Sequence, residues 1–321
     1  MELSKAAVNS PTFLHRQTDS DTEVNLFNYL KKLQADAAAG KTPLWATDTL
    51  TLGTIASGAA VGVTVTVPGA KVGDFAVAAP ALNLQGAQCT ARVIADDLVY
   101  VRVKAPGDGS SRVYAVSTVA VAVIPLAMAS RFGSVGVDTW DPASVGPQDG
   151  PQSKDVAVPG AQLGDLCLIG FNPSVAGAYT DAVSLQAFVK VAGTVRCSLI
   201  NETADVLDCD SGRVCVLVIP AGTQFPLTGS LAYANAGLAG LAGEQANVTI
   251  AGAAPGQIVV IGCSVDAGGN FMITGNVTSQ NTVTVRVQNV TLDSHALSAT
   301  LSIGLLPANG ALGMNATVKA E

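Results

Sequence analysis

Two histidines, His15 and His295, are the only imidazoles in 321 residues, and they stand near opposite ends of the chain. Nucleophilic catalysis of the Ser-His-Asp or Cys-His kind needs an imidazole within reach of its nucleophile and oriented by a third group. His295, in VTLDSHALSA, has Asp293 and Ser294 beside it, but neighbours along one strand or turn do not aim at one another in that way. Paired carboxylates for glycoside chemistry would have to come from Asp96-Asp97, Asp205, Asp208 and Asp210, all in turn-like surroundings. DVLDCDSG (205–212) is oxygen-rich like a calcium loop, yet lacks the EF-hand spacing and its terminal Glu. Cysteines 89, 167, 197, 209, 215 and 263 form no CxxC pair and have no local histidine, so zinc-ligand spacing is absent. Cys197, Cys209 and Cys215 are near enough in sequence for a bridge between strands, but the apolar settings favour buried free thiols. There is no GxxxxGK[ST], and GAAVGVTV (58–65) makes no dinucleotide fingerprint ahead of a helix. The expectation is a chain with no catalytic residue, no cofactor and no metal.

Composition narrows the partners. Charged residues are 13% of the chain, with a net charge of −7, so no basic surface exists to neutralise a phosphate backbone and nucleic acid is excluded as a direct partner. That charge density is about half the usual one quarter, which predicts surface covered by self-assembly. Aromatics are only 5%, while Val, Ala, Leu and Ile carry the apolar content with 33 Gly and 15 Pro as punctuation; strands and tight turns follow. The opening MELSKAAVNSPTFLHRQ lacks the apolar run of about 7 to 15 residues of a secretory signal. The apolar stretch VAVAVIPLAMA (119–129) is shorter than the ~20 residues that span a bilayer, so no membrane partner is expected.

The elements that would position any site are announced by a repeated phrase. VPGAKVGD (67–74) recurs as VPGAQLGD (158–165), and more faintly as IAGAAPGQ (250–257). Proline at the second position and glycine at the third specify a type II turn that ends one strand and begins another. Downstream of the copies come LVYVRV, TVRCSL and TVTVRV, then VAVAVIP, VCVLVIP and LSIGLLP. From the turn to Arg102, Arg196 and Arg286 the separations are 34, 37 and 35 residues, and to the final proline 57, 61 and 56. Recurrence at this period marks repeated units, and alternation within them predicts strands. The arginines are expected on outward faces, in cross-strand or intersubunit pairs. The fold class is therefore mainly β: an N-terminal arm and helix (1–47), then three tandem antiparallel β-sandwich modules at 48–127, 128–226 and 227–321.

One helix is predicted, over about Glu23–Ala39, capped at Ser20 to Thr22 and stopped by Gly40. Val24, Phe27, Leu30 and Leu33 share its apolar face, which either packs on the first module or serves as an oligomer or docking face.

The phrasing GTIASGAAVGVTVTVPGAKVGDFAVAAP, followed by VYVRV and VAVAVIP, resembles small β modules in structural proteins of tailed bacteriophages and prophages. The resemblance implies a virion component, made and assembled in the bacterial host cytoplasm, binding the major capsid protein or other virion proteins. Within that class the expectation is a non-enzymatic capsid decoration or cement protein acting as a homotrimer. The alternatives are a tail, neck or head fibre contacting the host surface, for which Tyr233 is the lone Trp or Tyr of the third module, and a β-sandwich glycosidase or lyase, for which aromatics are few.

Overall fold

The computed structural model describes residues 43–146, 151–173, 183–201, 203, 205–221, 225–267 and 269–306. The predicted helix with Val24, Phe27, Leu30 and Leu33, and His15, lie outside the described residues. The helical segment that is described is a 3-10 turn at Leu126–Arg131, unforeseen in the sequence, which follows Pro125 and buries Met128 and Ala129. Among the described residues everything else regular is strand.

The first stretch holds β1 (Leu44–Leu50), β2 (Gly53–Ile55), β3 (Ala60–Thr66), β4 (Phe75–Pro80), β5 (Gln88–Ala95), β6 (Leu98–Lys104), β7 (Arg112–Tyr114) and β8 (Ser117–Ile124). β1 thus begins inside the segment that the sequence assigned to the arm. The second stretch holds β9 (Ser134–Trp140), β10 (Gln152–Ala157), β11 (Leu166–Pro173), β12 (Val183–Val191), β13 (Thr194–Asn201) and β14 (Gly212–Ile219). The third holds β15 (Leu227–Leu238), β16 (Gly243–Thr249), β17 (Ile258–Cys263), β18 (Phe271–Ser279), β19 (Thr282–Asn289) and β20 (His295–Leu306).

Apart from the small β2-β7 ribbon, one strand order occurs three times. β1-β8-β4, β9-β14-β11 and β15-β20-β17 are matched by β3-β6-β5, β10-β13-β12 and β16-β19-β18. All these pairings are antiparallel. A bridge at Leu166↔Gly262 joins two of the sheets into six strands, β15-β20-β17-β11-β14-β9.

Each stretch encloses its own apolar cluster: Val99, Val101 and Val103 with Val119, Val121 and Val123 in the first, Val195 and Leu199 with Val214, Val216 and Val218 in the second, and Val283, Val285 and Val287 with Leu301, Ile303 and Leu305 in the third. A fourth cluster joins the stretches, with Phe75, Ile124, Leu166, Leu217, Ile219, Ile258, Val260 and Leu306. This explains the unbroken apolar runs VAVAVI and VCVLVI. β8 and β14 are buried on both faces, odd positions in one cluster and even positions in another, so polar alternation is lost. Burying each such valine or leucine side chain contributes about 1.5–3 kcal/mol.

The repeated phrase forms two turns in succession. In the first, Ala70 N–H donates to the Val67 carbonyl at 3.1 Å with Gly69 at φ 91°; in the second, Asp74 N–H donates to Lys71 O at 2.9 Å with Gly73 at φ 99°. Both glycines occupy the left-handed region that type II geometry reserves for them. The other marks are bonded to this element. The hairpin residues Asp97, Gly193 and Asn281 each donate N–H to the turn alanine, at Ala70, Ala161 and Ala253, over 2.7–2.9 Å. The buried Asp74 carboxylate accepts from Lys71 N–H and from Leu126 N–H, both at 2.8 Å; Asp165 does the same with Gln162 and Ala221. Leu126 and Ala221 directly follow the final prolines, Pro125 and Pro220. The phrase and the proline recur together because one carboxylate holds both.

Candidate functional site: a three-way junction of strands

The residues most suited to chemistry are engaged elsewhere. His295 Nδ1 lies 3.3 Å from Asn270 Nδ2, with its ring edge-on to Phe271, and Ser294 is not its partner. Asp96 pairs with Lys71 at 2.7 Å, and Asp97 Oδ1 accepts from Gly69 N–H at 2.6 Å. Asp205 contributes its carbonyl, not its carboxylate, to an Asn-x-Thr-x-Asp turn: Asn201 Nδ2 donates to Asp205 O at 2.7 Å, and Thr203 N–H and Oγ1 donate to Asn201 Oδ1 at 2.9 Å. Asn289, Thr291 and Asp293 repeat that turn in the third stretch, so the spacing Asn-x-Thr-x-Asp is a further repeated mark in the sequence. Among the described residues no group of three His, Cys, Asp or Glu could hold a metal ion.

All six cysteines are free, five of them buried and Cys89 half-buried. Burial pushes the Cys89 and Cys167 thiols up to about 12, which keeps them protonated and unreactive at neutral pH. Tyr233, the aromatic available to a third-module glycan site, is buried and donates to Glu244 at 3.0 Å. Burial and that carboxylate both raise its pKa.

The arginines need a correction. Arg102 and Arg286 each lie five residues after the left-handed hairpin residue, Asp97 or Asn281, whereas Arg196 lies three after Gly193. Ser198, not Arg196, holds the equivalent place in β13. All three arginines alternate with inward apolar residues, as expected, but Arg102 and Arg286 are 6% exposed. Their outward faces are covered by neighbouring stretches. Arg102 Nη1 donates to Ser184 Oγ of β12 at 3.2 Å, and Arg196 pairs with Asp266, beyond β17, at 3.0 Å. Arg286 of β19 packs beside Gly86, ahead of β5.

These contacts run first to second, second to third and third to first. They surround a junction where β4, β11 and β17 approach one another. A Cβ on Gly170 of β11 would fall 2.3 Å from Gly73 O, and one on Gly262 of β17 would fall 2.3 Å from Gly164 O; real Cβ atoms do not come so close, so glycine admits the backbone of the neighbouring stretch. Gln186 Nε2 donates to Phe271 O and Asn276 Nδ2 to Leu82 O, the latter at 3.0 Å. The sequence did flag these polar residues in one respect: they interrupt otherwise apolar strands, as in VSLQAFV and FMITGNV.

At the junction is a cavity of about 150 Å3 lined from all three stretches, including Arg102, Ser184, Gln186 and Thr274. Its lining offers guanidinium, hydroxyl, amide and thiol groups, the last from Cys89 and Cys167, and among the described residues neither carboxylate nor histidine. Such a set can hold neighbours by hydrogen bonds, as Arg102 does with Ser184. No protein-family model, curated protein or solved structure matches this chain.

Proposed function

We propose that the chain is a non-enzymatic structural protein of a tailed-phage or prophage virion, assembled in the host cytoplasm, that decorates the head shell by binding the major capsid protein or other virion proteins. We further infer that three tandem antiparallel β-sandwich modules, at 48–127, 128–226 and 227–321 give or take the ends of their strands, follow an N-terminal arm and helix. Support for the modules comes from the thrice-repeated strand order and the separate apolar clusters.

One observation carries the functional reading. Among the described residues, Asp74, Asp165 and His295 hold turns together, and Arg102 and Arg196 join one stretch to the next. One strand order recurs three times within a single chain, and we assign homotrimer formation to the segment bearing Val24, Phe27, Leu30 and Leu33.

The test uses the purified full chain and heads that lack it. Co-sedimentation with those heads, and a native mass about three times 32.2 kDa, are the expected results. A protein that stays near 32.2 kDa and leaves the heads bare contradicts the proposal.

A further inference from the structure

The seam between the third and first stretches holds a buried charge that its protein neighbours do not balance. Arg286 is 6% exposed. Its guanidinium lies against Gly243, where a Cβ would fall 2.4 Å from Nη2 and 2.7 Å from Cζ. On the other side is Gly86, where a Cβ would fall 3.5 Å from Arg286 Nη1 and 2.3 Å from Gln245 Nε2. The two donor groups therefore fill the places where a Cβ would stand, and Gly86 brings Arg286 Nη1 and Gln245 Nε2 near one another.

Within the protein, Arg286 Nη2 donates to Gln288 Oε1 at 3.4 Å, a long bond, and Nε is buried without an acceptor. The cavity beside it is walled by Asn276, Thr274, Thr278 and Thr284, and among the described residues no carboxylate lines it. Asp108 and Arg112 act on Arg286 through their charges, but they pair with one another. Burial lowers the Arg286 pKa from its ordinary value; a guanidinium starts so high that it keeps its proton at neutral pH. A buried charge left alone costs several kcal/mol, so an anion at this place is strongly favoured. Size then selects the anion. The free volume is about 10 Å3, on the order of one water-sized particle, which favours a monoatomic ion over the larger phosphate and sulfate.

We propose that Arg286 and Gln245 bind one monoatomic anion of the chloride class in the seam between the loop preceding β5 and strands β16 and β19. The guanidinium supplies the charge and Gln245 Nε2 a second donor, so the ion fastens the third stretch to the first.

Crystals of the full chain grown in sodium bromide test this by anomalous diffraction, alongside thermal unfolding in sodium chloride, bromide and sulfate at matched ionic strength. Expected are a bromide peak in contact with the Arg286 guanidinium and an unfolding temperature that rises with halide concentration, as ligand linkage requires, and that sulfate does not reproduce. Arg286→Gln removes the halide dependence. Should that variant fail to fold, Gln245→Ala, at an exposed residue, keeps the fold and weakens halide binding about tenfold, the loss of one charge-assisted hydrogen bond. A water in place of bromide, equal responses to halide and sulfate, or an unchanged halide midpoint in Gln245→Ala overturns the proposal.

Discussion

The joint between the second and third stretches and the joint between the third and first are built by different means. At the former, backbone meets backbone in addition to the side-chain links of Gln186 to Phe271 O and Arg196 to Asp266: Gly262 receives the Gly164 and Asp165 carbonyls, Gly164 N–H donates to Cys263 O at 2.8 Å, and the sheet continues from β11 to β17. At the latter, the residue of β4 that corresponds to Gly170 and Gly262 is Ala79, buried and carrying a Cβ where the other two strands carry none. Side chains do the joining there instead, with Asn276 reaching Leu82 and Arg286 lodged between Gly243 and Gly86. One repeated unit can thus be fastened either by removing a Cβ or by burying a polar head, and the second way leaves a charge to be balanced.

The largest effect should come from blocking the backbone joint. Gly262→Ala places a methyl against two carbonyl oxygens and should destabilise by about 3 kcal/mol, whereas Gly107→Ala, with nothing within 4 Å, should stay within about 0.5 kcal/mol of the parent; chemical denaturation of both measures the contrast. Next comes the carboxylate that ties the turn phrase to the end of β14. Asp165→Ala strands two N–H donors and should cost about 2 kcal/mol, against about 1 kcal/mol for Gln257→Ala, whose oxygen accepts from Ala254. On the side-chain joint, Asn276→Ala should cost about 1 kcal/mol, less than Gly262→Ala; equal losses would mean that the two joints are not different in kind.

The smallest effect is one of pH. Asp74 has its pKa raised from 3.8, by burial first, with the N–H groups of Leu126 and Lys71 opposing. The folded state therefore holds this proton more tightly than the unfolded one. Its contribution is fully present below 3.8 and is lost as pH rises through the raised value. Asp74→Asn should flatten that decline in denaturant midpoints just above the ordinary carboxylate range. Asp138, held low by Lys154 and by Thr139 N–H, acts in the opposite direction and serves as the internal contrast.

The turn phrase was legible because proline and glycine impose backbone angles by themselves. Its third copy keeps the geometry without proline, with Gly252 at φ 89° and Ala253 N–H donating to Ile250 O at 3.0 Å, so the glycine and the hydrogen bond carry the signal. The arginine register was not legible. Counting from the turn crosses β11 and its connection to β12, where Leu166 to Val183 is 17 residues against 13 from Phe75 to Gln88 and 13 from Ile258 to Phe271, because strand and connection are each two residues longer. Arg196 sits two places from its supposed equivalents, and because strand faces alternate with period two it still points outward. That an outward face would be buried could not be read from alternation, which separates the two faces of a strand but does not say what covers either. The junction depends on that second layer of packing, so Ser184, Gln186 and Asn276 stand out in the sequence as polar breaks in apolar strands, but what they join became visible only once the sheets were placed.

Imaging intact heads with and without this protein, at a resolution that separates its lobes, tests the proposed role most directly. The account predicts added density on the shell in which each copy shows three lobes gathered around one centre. Lobes strung in a line from neck or tail, as in a fibre, or heads identical in both samples, would contradict it.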